Sequence, residues 1–126
     1  MATVRNKILI VEDDMELLEV LTKKFEIEEE FTVFQAGDGR AGLELALKEH
    51  PELILLDIIM PIMDGMTMLR KLREDAWGKD TPVILLTNLS DESKVAEAIK
   101  HGAYDYLVKA DWKIDDVVKK VRERLK

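Results

Sequence analysis

Five short runs of apolar and β-branched residues constrain this chain more than any other feature. They lie at 7–11, 32–36, 53–56, 83–86 and 106–108. A strand with one wet face alternates apolar and polar residues. The first, third and fourth runs do not alternate, so both of their faces are expected to be covered, as in a parallel sheet flanked by helices. The segments between the runs carry helical spacing instead. Leu17, Leu18, Leu21 and Phe25 form one stripe, and Leu69, Leu72 and Ala76 another. Val95 and Ile99 follow, and then Ile114, Val117, Val118, Val121 and Leu125. Residues 41–47 are apolar enough to form a helix lying on the sheet. Five strand–helix units predict a doubly wound α/β domain with helices on both faces. The 126 residues suffice for one such domain with a full core, and no linker or repeat divides them. Residues 1–126 are therefore expected to be a single domain.

In such a sheet, ligands bind outside the carboxyl ends of the strands, where strand order reverses. Glu12-Asp13-Asp14 follows the first strand and Asp57 the third, while the fourth ends at Thr87 and the fifth at Lys109. Like charges gathered in a partly desolvated site repel. A Mg²⁺ ion, which takes a few carboxylates together with water and phosphate oxygens, removes that cost. Glu12, Asp13 and Asp57 are accordingly read as a Mg²⁺ site, and Asp14 as the cap of the first helix. Asp57 stands inside the apolar run Leu53-Ile54-Leu55-Leu56-Asp57-Ile58-Ile59-Met60-Pro61. An ionised carboxylate there needs a partner or a task. Aspartate is a nucleophile toward phosphoryl groups, and phosphoryl transfer asks mainly for positioning and charge neutralisation. Lys109 and the Thr87 hydroxyl would hold the phosphoryl oxygens.

Composition narrows the remaining classes. Hydrophobic residues make up 47% and charged residues 36%, a globular balance. The net charge of −7 disfavours direct contact with nucleic acid. The absence of cysteine removes disulfides, zinc–thiolate centres and thiol nucleophiles. With no bilayer-length apolar run and no leader-like N-terminus, a cytoplasmic location and no membrane partner are expected.

The ordered set Ile8-Leu9-Ile10-Val11-Glu12-Asp13-Asp14, Asp57-Ile58-Ile59-Met60-Pro61 with Asp64-Gly65, Thr87, and Gly102-Ala103-Tyr104-Asp105-Tyr106-Leu107-Val108-Lys109 resembles the receiver domain of two-component response regulators along the full chain. The resemblance implies a flavodoxin-like strand order 2-1-3-4-5 and phosphorylation of Asp57 by the phosphohistidine of a histidine kinase or phosphotransfer protein. It implies that Glu12, Asp13, Asp57 and the carbonyl of Ile59 hold Mg²⁺, that Thr87 and Lys109 bind the phosphoryl group, and that Tyr106 swings inward as Thr87 moves. The helix–strand–helix face of residues 91–126 would then change for a downstream protein partner, with the molecule a monomer or a phosphorylation-dependent dimer. As a receiver the protein would not be an enzyme beyond turning over its own aspartyl phosphate.

Two departures from the family pattern stand out. Ala110 follows Lys109 where the family usually has a proline on a cis bond, and such a bond without proline costs about 3 kcal/mol. Ile59 and Leu89 stand two residues after Asp57 and Thr87. Apolar side chains there cannot orient an attacking water, so slow autodephosphorylation is expected.

Two enzyme-like patterns compete with this reading. Gly37-Asp38-Gly39-Arg40-Ala41-Gly42 fits the dinucleotide pattern G-x-G-x-x-G. It follows the second strand and not the first, and the chain is too short for two mononucleotide halves. It reads instead as a glycine turn and a small-residue helix start packed on the sheet. A phosphatase of haloacid-dehalogenase type needs a second acid two residues after its nucleophile, where Ile59 stands. His50 and His101 are expected at helix C-termini, Trp77 and Trp112 as packing anchors, and the methionines as core filler.

Overall fold

The computed structural model describes residues 5–87, 92–109 and 113–126. Strands β1 (Asn6–Val11), β2 (Phe31–Ala36), β3 (Leu53–Asp57), β4 (Val83–Thr87) and β5 (Asp105–Val108) alternate with helices α1 (Met15–Ile27), α2 (Gly39–Glu49), α3 (Gly65–Glu74), α4 (Glu92–Lys100) and α5 (Ile114–Leu125). All strand pairs are parallel, in the order β2-β1-β3-β4-β5. This is the flavodoxin-like fold expected. The order reverses between β1 and β3, so the crevice faces the residues that follow those two strands.

The pleat sorts the strand residues into two cores. Leu9, Val11, Ile54, Leu56, Val83 and Leu85 point toward α2, α3 and α4, where Ala46, Met68, Leu69, Leu72 and Ala98 meet them. Ile8, Ile10, Leu53, Leu55, Ile84 and Leu86 point the other way and are covered by Leu18, Leu21 and Phe25 of α1 and Val117, Val118 and Val121 of α5. Every residue of β3 and β4 is buried, which accounts for their unbroken apolar sequence.

Several details differ from the sequence expectation. The core residue of α4 is Ala98, while Ile99 is 45% exposed. Helix α3 stops at Glu74 because the Asp75 carboxylate turns the chain, accepting from Trp77 N at 2.9 Å and Gly78 N at 3.0 Å. Ala76 is therefore not part of its stripe. Met60, Met66 and Met68 are core residues, but Met15 is exposed. His50 ends α2 in a left-handed conformation and stacks on Trp77 with ring centroids 4.3 Å apart, so Trp77 anchors the two connections at that end of the sheet. The Lys109–Ala110 bond, Leu89 and Trp112 lie outside the described residues. Among the described residues, no helix is long and apolar enough to cross a membrane.

Candidate functional site

Strand register assembles the site. Val11 pairs with Leu56, so Glu12 and Asp57, the next residue on each strand, emerge side by side. Asp57 pairs with Leu86 and Thr87 with Val108, which sets Thr87 and Lys109 one step further along. The Lys109 amide donates to the Thr87 carbonyl at 2.7 Å and holds the ends of β4 and β5 together. Glu12, Asp57 and Thr87 are buried. Asp13 is exposed. Glu12, Asp13 and Asp57 each place a carboxylate oxygen within 4.8 Å of the others.

Local sequence explains the approach. Asp14 accepts from Glu16 N at 3.1 Å and Leu17 N at 3.2 Å, capping α1 so that the chain turns into the helix just after Glu12. On the other side, Gly65 begins α3 against the end of β3. A Cβ at Gly65 would lie 2.0 Å from the Asp57 carbonyl oxygen, so only glycine permits this contact. The Gly65 amide donates to Ile58 O at 2.7 Å and closes the loop of residues 58–64.

Electrostatics set the character of the pocket. The Lys109 ammonium lies 2.7 Å from Glu12 Oε1 and 3.3 Å from Asp57 Oδ2. Its closer partner is thus Glu12, which the sequence alone did not indicate. Burial pulls Lys109 down, but its contacts with Glu12 and Asp57 outweigh this and hold the ammonium above its ordinary range. Asp57 moves the other way for a carboxylate. Burial first, then the neighbouring Glu12, push it up to about 8, against the opposing pull of Lys109. Asp57 Oδ1 also accepts from Ile59 N at 3.4 Å.

The donor set fits a hard divalent cation. Glu12 Oε1 is buried and makes no well-directed hydrogen bond; its compensation is the ion pair with Lys109. Three carboxylates and no soft ligand converge on one point, the oxygen chemistry that Mg²⁺ selects.

The structure therefore brings Glu12, Asp13, Asp57 and Lys109 together, with Thr87 beside Lys109 and the backbone of Ile59 beside Asp57. Tyr106 stands apart from the cluster, three residues before Lys109 and 43% exposed. Sequence reasoning missed the support given by the loop of residues 58–64. Ile62 adopts φ 70° with a side chain 78% exposed, an uncommon state for a β-branched residue. No residue type in the sequence marks that strain.

The family model of the response regulator receiver domain matches residues 8–122. The chain is 40% identical over 104 residues to the transcriptional regulatory protein SrrA of Staphylococcus aureus, covering 82% of this chain and 42% of that protein. It is 36% identical over 105 residues to the probable transcriptional regulator ycf27 of Porphyridium aerugineum, covering 83% and 42%. The chain thus spans less than half the length of these curated relatives. Among solved structures, the Francisella response regulator 1452 receiver domain superposes with a TM-score of 0.84 at 31% identity, covering 97% of this chain and all of that one. The chemotaxis response regulator CheY4 of Vibrio cholerae superposes with a TM-score of 0.86 at 27% identity, covering 95% and 98%. With register, pocket and relatives in agreement, the chain belongs to the response regulator receiver domain family.

Proposed function

We propose that this domain is a phosphorylation switch in which Asp57 accepts a phosphoryl group from a phosphohistidine. The observation that carries the reading is the buried Asp57 carboxylate held beside Glu12, Asp13 and the Lys109 ammonium at the carboxyl edge of a parallel sheet. The Asp57 oxygen forms a bond to phosphorus as the bond from phosphorus to the donor histidine nitrogen breaks. The imidazole leaves with its electron pair and takes up a proton. Glu12, Asp13, Asp57 and the Ile59 carbonyl would hold Mg²⁺, which when bound supplies positive charge against the phosphoryl oxygens and favours ionised Asp57. Lys109, already 3.3 Å from Asp57, neutralises the charge on the transferred group. The Thr87 hydroxyl donates to one of its oxygens.

Phosphorylation adds close to two negative charges where Asp57 and Glu12 already repel. Lys109 is then drawn from Glu12 toward the phosphoryl group. Because its amide is bonded to the Thr87 carbonyl, the ends of β4 and β5 respond together. Tyr106 moves from its exposed position toward Thr87, and the face made by α4, β5 and α5 changes for a downstream protein partner. A histidine kinase or phosphotransfer protein is the donor. Nucleic acid and membrane are not partners of this acidic domain itself, and the site of action is the cytoplasm. In this reading residues 1–126 act as one receiver unit, as a monomer or a phosphorylation-dependent dimer.

The test is incubation with Mg²⁺ and acetyl phosphate, followed by intact mass and by the resonances of Tyr106. One phosphoryl group per chain is expected, absent in Asp57→Asn and after chelation, with a shift of the Tyr106 signals. The label should decay slowly, and faster when Ile59 and Leu89 are replaced by polar residues. Labelling that survives Asp57→Asn would sink the reading, as would rapid turnover of an external phosphomonoester.

A further inference from the structure

The glycine-rich turn before α2 has no part in the reading above, yet it touches the site. Asp38 caps α2 by accepting from Ala41 N at 2.8 Å. Gly39, the first residue of that helix, is buried. Its amide donates to the Met63 carbonyl at 2.9 Å. Met63 belongs to the loop of residues 58–64 that runs from Asp57 to α3. Among the described residues this is the one hydrogen bond that ties the loop to an element other than its own strand and helix. A Cβ on Gly39 would lie 2.1 Å from Met63 O, 2.9 Å from Met63 C and 3.1 Å from Asp64 O. All three are backbone atoms, so no side-chain rotation could make room.

The gripped loop is under load. Ile62, next to Met63, sits at φ 70°, where a β-branched residue is strained, and its exposed side chain gains nothing from burial there. Met63 N donates to Pro61 O at 2.7 Å, closing a three-residue turn with Ile62 at its centre. Such a conformation persists only when its surroundings over-determine it. The closure of the loop by Gly65 fixes its ends, and the Gly39 contact fixes Met63, directly after the strained residue. Ile59, whose amide reaches Asp57, rides on this loop.

We infer that Gly39 is a positioning residue of the acidic pocket, holding the strained loop in the shape that sets the Ile59 backbone beside Asp57. The inference rests on the reading of Asp57 and its neighbours as the cation and phosphoryl site. Cation affinity then depends on α2, a helix that contributes no ligand.

The variant is Gly39→Ala, and the control is Gly78→Ala. A Cβ at Gly78 would lie 2.4 Å from Leu72 O, a comparable intrusion at the other end of the molecule. Two quantities are measured: the exchange of the Ile59 and Gly65 amides in metal-free protein, and the affinity for Mn²⁺ by spin-resonance titration. In Gly39→Ala, exchange at least tenfold faster and Mn²⁺ binding at least tenfold weaker are expected. In Gly78→Ala both should stay within twofold of wild type, even though its thermal midpoint falls. Wild-type exchange in Gly39→Ala overturns the inference, as does an equal change in both variants. If Gly39→Ala does not fold, Asp38→Ala loosens the same helix turn without crowding. It should speed loop exchange severalfold, and unchanged exchange there is equally fatal. A wild-type domain that binds no Mn²⁺ would count against the proposed function, while the metal-free exchange still decides the role of Gly39.

Discussion

Two charge centres are drawn out of water at opposite ends of the sheet, and the fold treats them in opposite ways. At the amino end of β4 and β5, Arg73 of α3 donates to His101 O and Gly78 O at 2.7 Å, to Thr81 O at 2.8 Å and to Gly102 O at 3.0 Å. Its charge is spread over four neutral acceptors, and one side chain ties α3 to the turns before both strands. At the carboxyl end, Glu12, Asp13 and Asp57 crowd together with Lys109 as their cation among the described residues. Burial pulls the Arg73 guanidinium below its usual range, and burial likewise pushes Asp57 up to about 8. The same desolvation acts at both ends. At one it is answered by four hydrogen bonds to carbonyls; at the other it is left for an incoming ligand to answer. A satisfied centre holds the structure together, whereas an unsatisfied one is poised to bind.

The contrast can be broken at the satisfied end first. Arg73→Ala strips a donor from four carbonyls and is expected to cost about 3 kcal/mol, the largest effect here. The urea midpoint should fall while the slope with denaturant stays constant. A change under about 1 kcal/mol would mean that water replaces the guanidinium freely.

At the unsatisfied end the sign reverses. Asp57 has a folded-state value of about 8 against an ordinary 3.8. The native state therefore retains a proton that the unfolded chain has lost across that interval. The stability linked to this group is complete below pH 4 and is lost as pH rises toward 8. In metal-free buffer Asp57→Asn should remove this decline. It should gain about 2 kcal/mol at pH 8 and little at pH 4, measured by urea unfolding at each pH. A wild-type stability that rises over this range, with Asp57→Asn no more stable at pH 8, would refute the poised state. Smallest is Ile62→Asn, which relieves a left-handed β-branched residue on the rim of the pocket. It should stabilise by about 1 kcal/mol and raise the thermal midpoint by about 4 °C.

Much of this was legible in the chain because one-dimensional pattern and three-dimensional position coincide there. The unbroken apolar runs of β3 and β4 announce burial on both faces, and in a parallel sheet whatever follows a strand lies on the ligand edge. That is why Glu12, Asp57, Thr87 and Lys109 could be named before their distances were known. Legibility failed where neighbours decide. The helical spacing puts Ile99 in the core, but the rotation of α4 against its neighbours buries Ala98 instead and leaves Ile99 45% exposed. Arg73 gave no signal because its partners are carbonyls, which every residue carries. Gly39 sat in a visible motif, but its contact with Met63 joins residues far apart in sequence.

By itself the sequence determined the strand and helix periods, the parallel sheet and the identity of the groups along its carboxyl edge. Those follow from local spacing, which survives in any conformation of the chain. Only the tertiary structure decided that Lys109 sits nearer Glu12 than Asp57, that Asp57 holds its proton so far above the ordinary range, and that a helix with no ligand of its own braces the loop beside it. Distance and desolvation are properties of the assembled molecule, created when remote segments exclude water from one another.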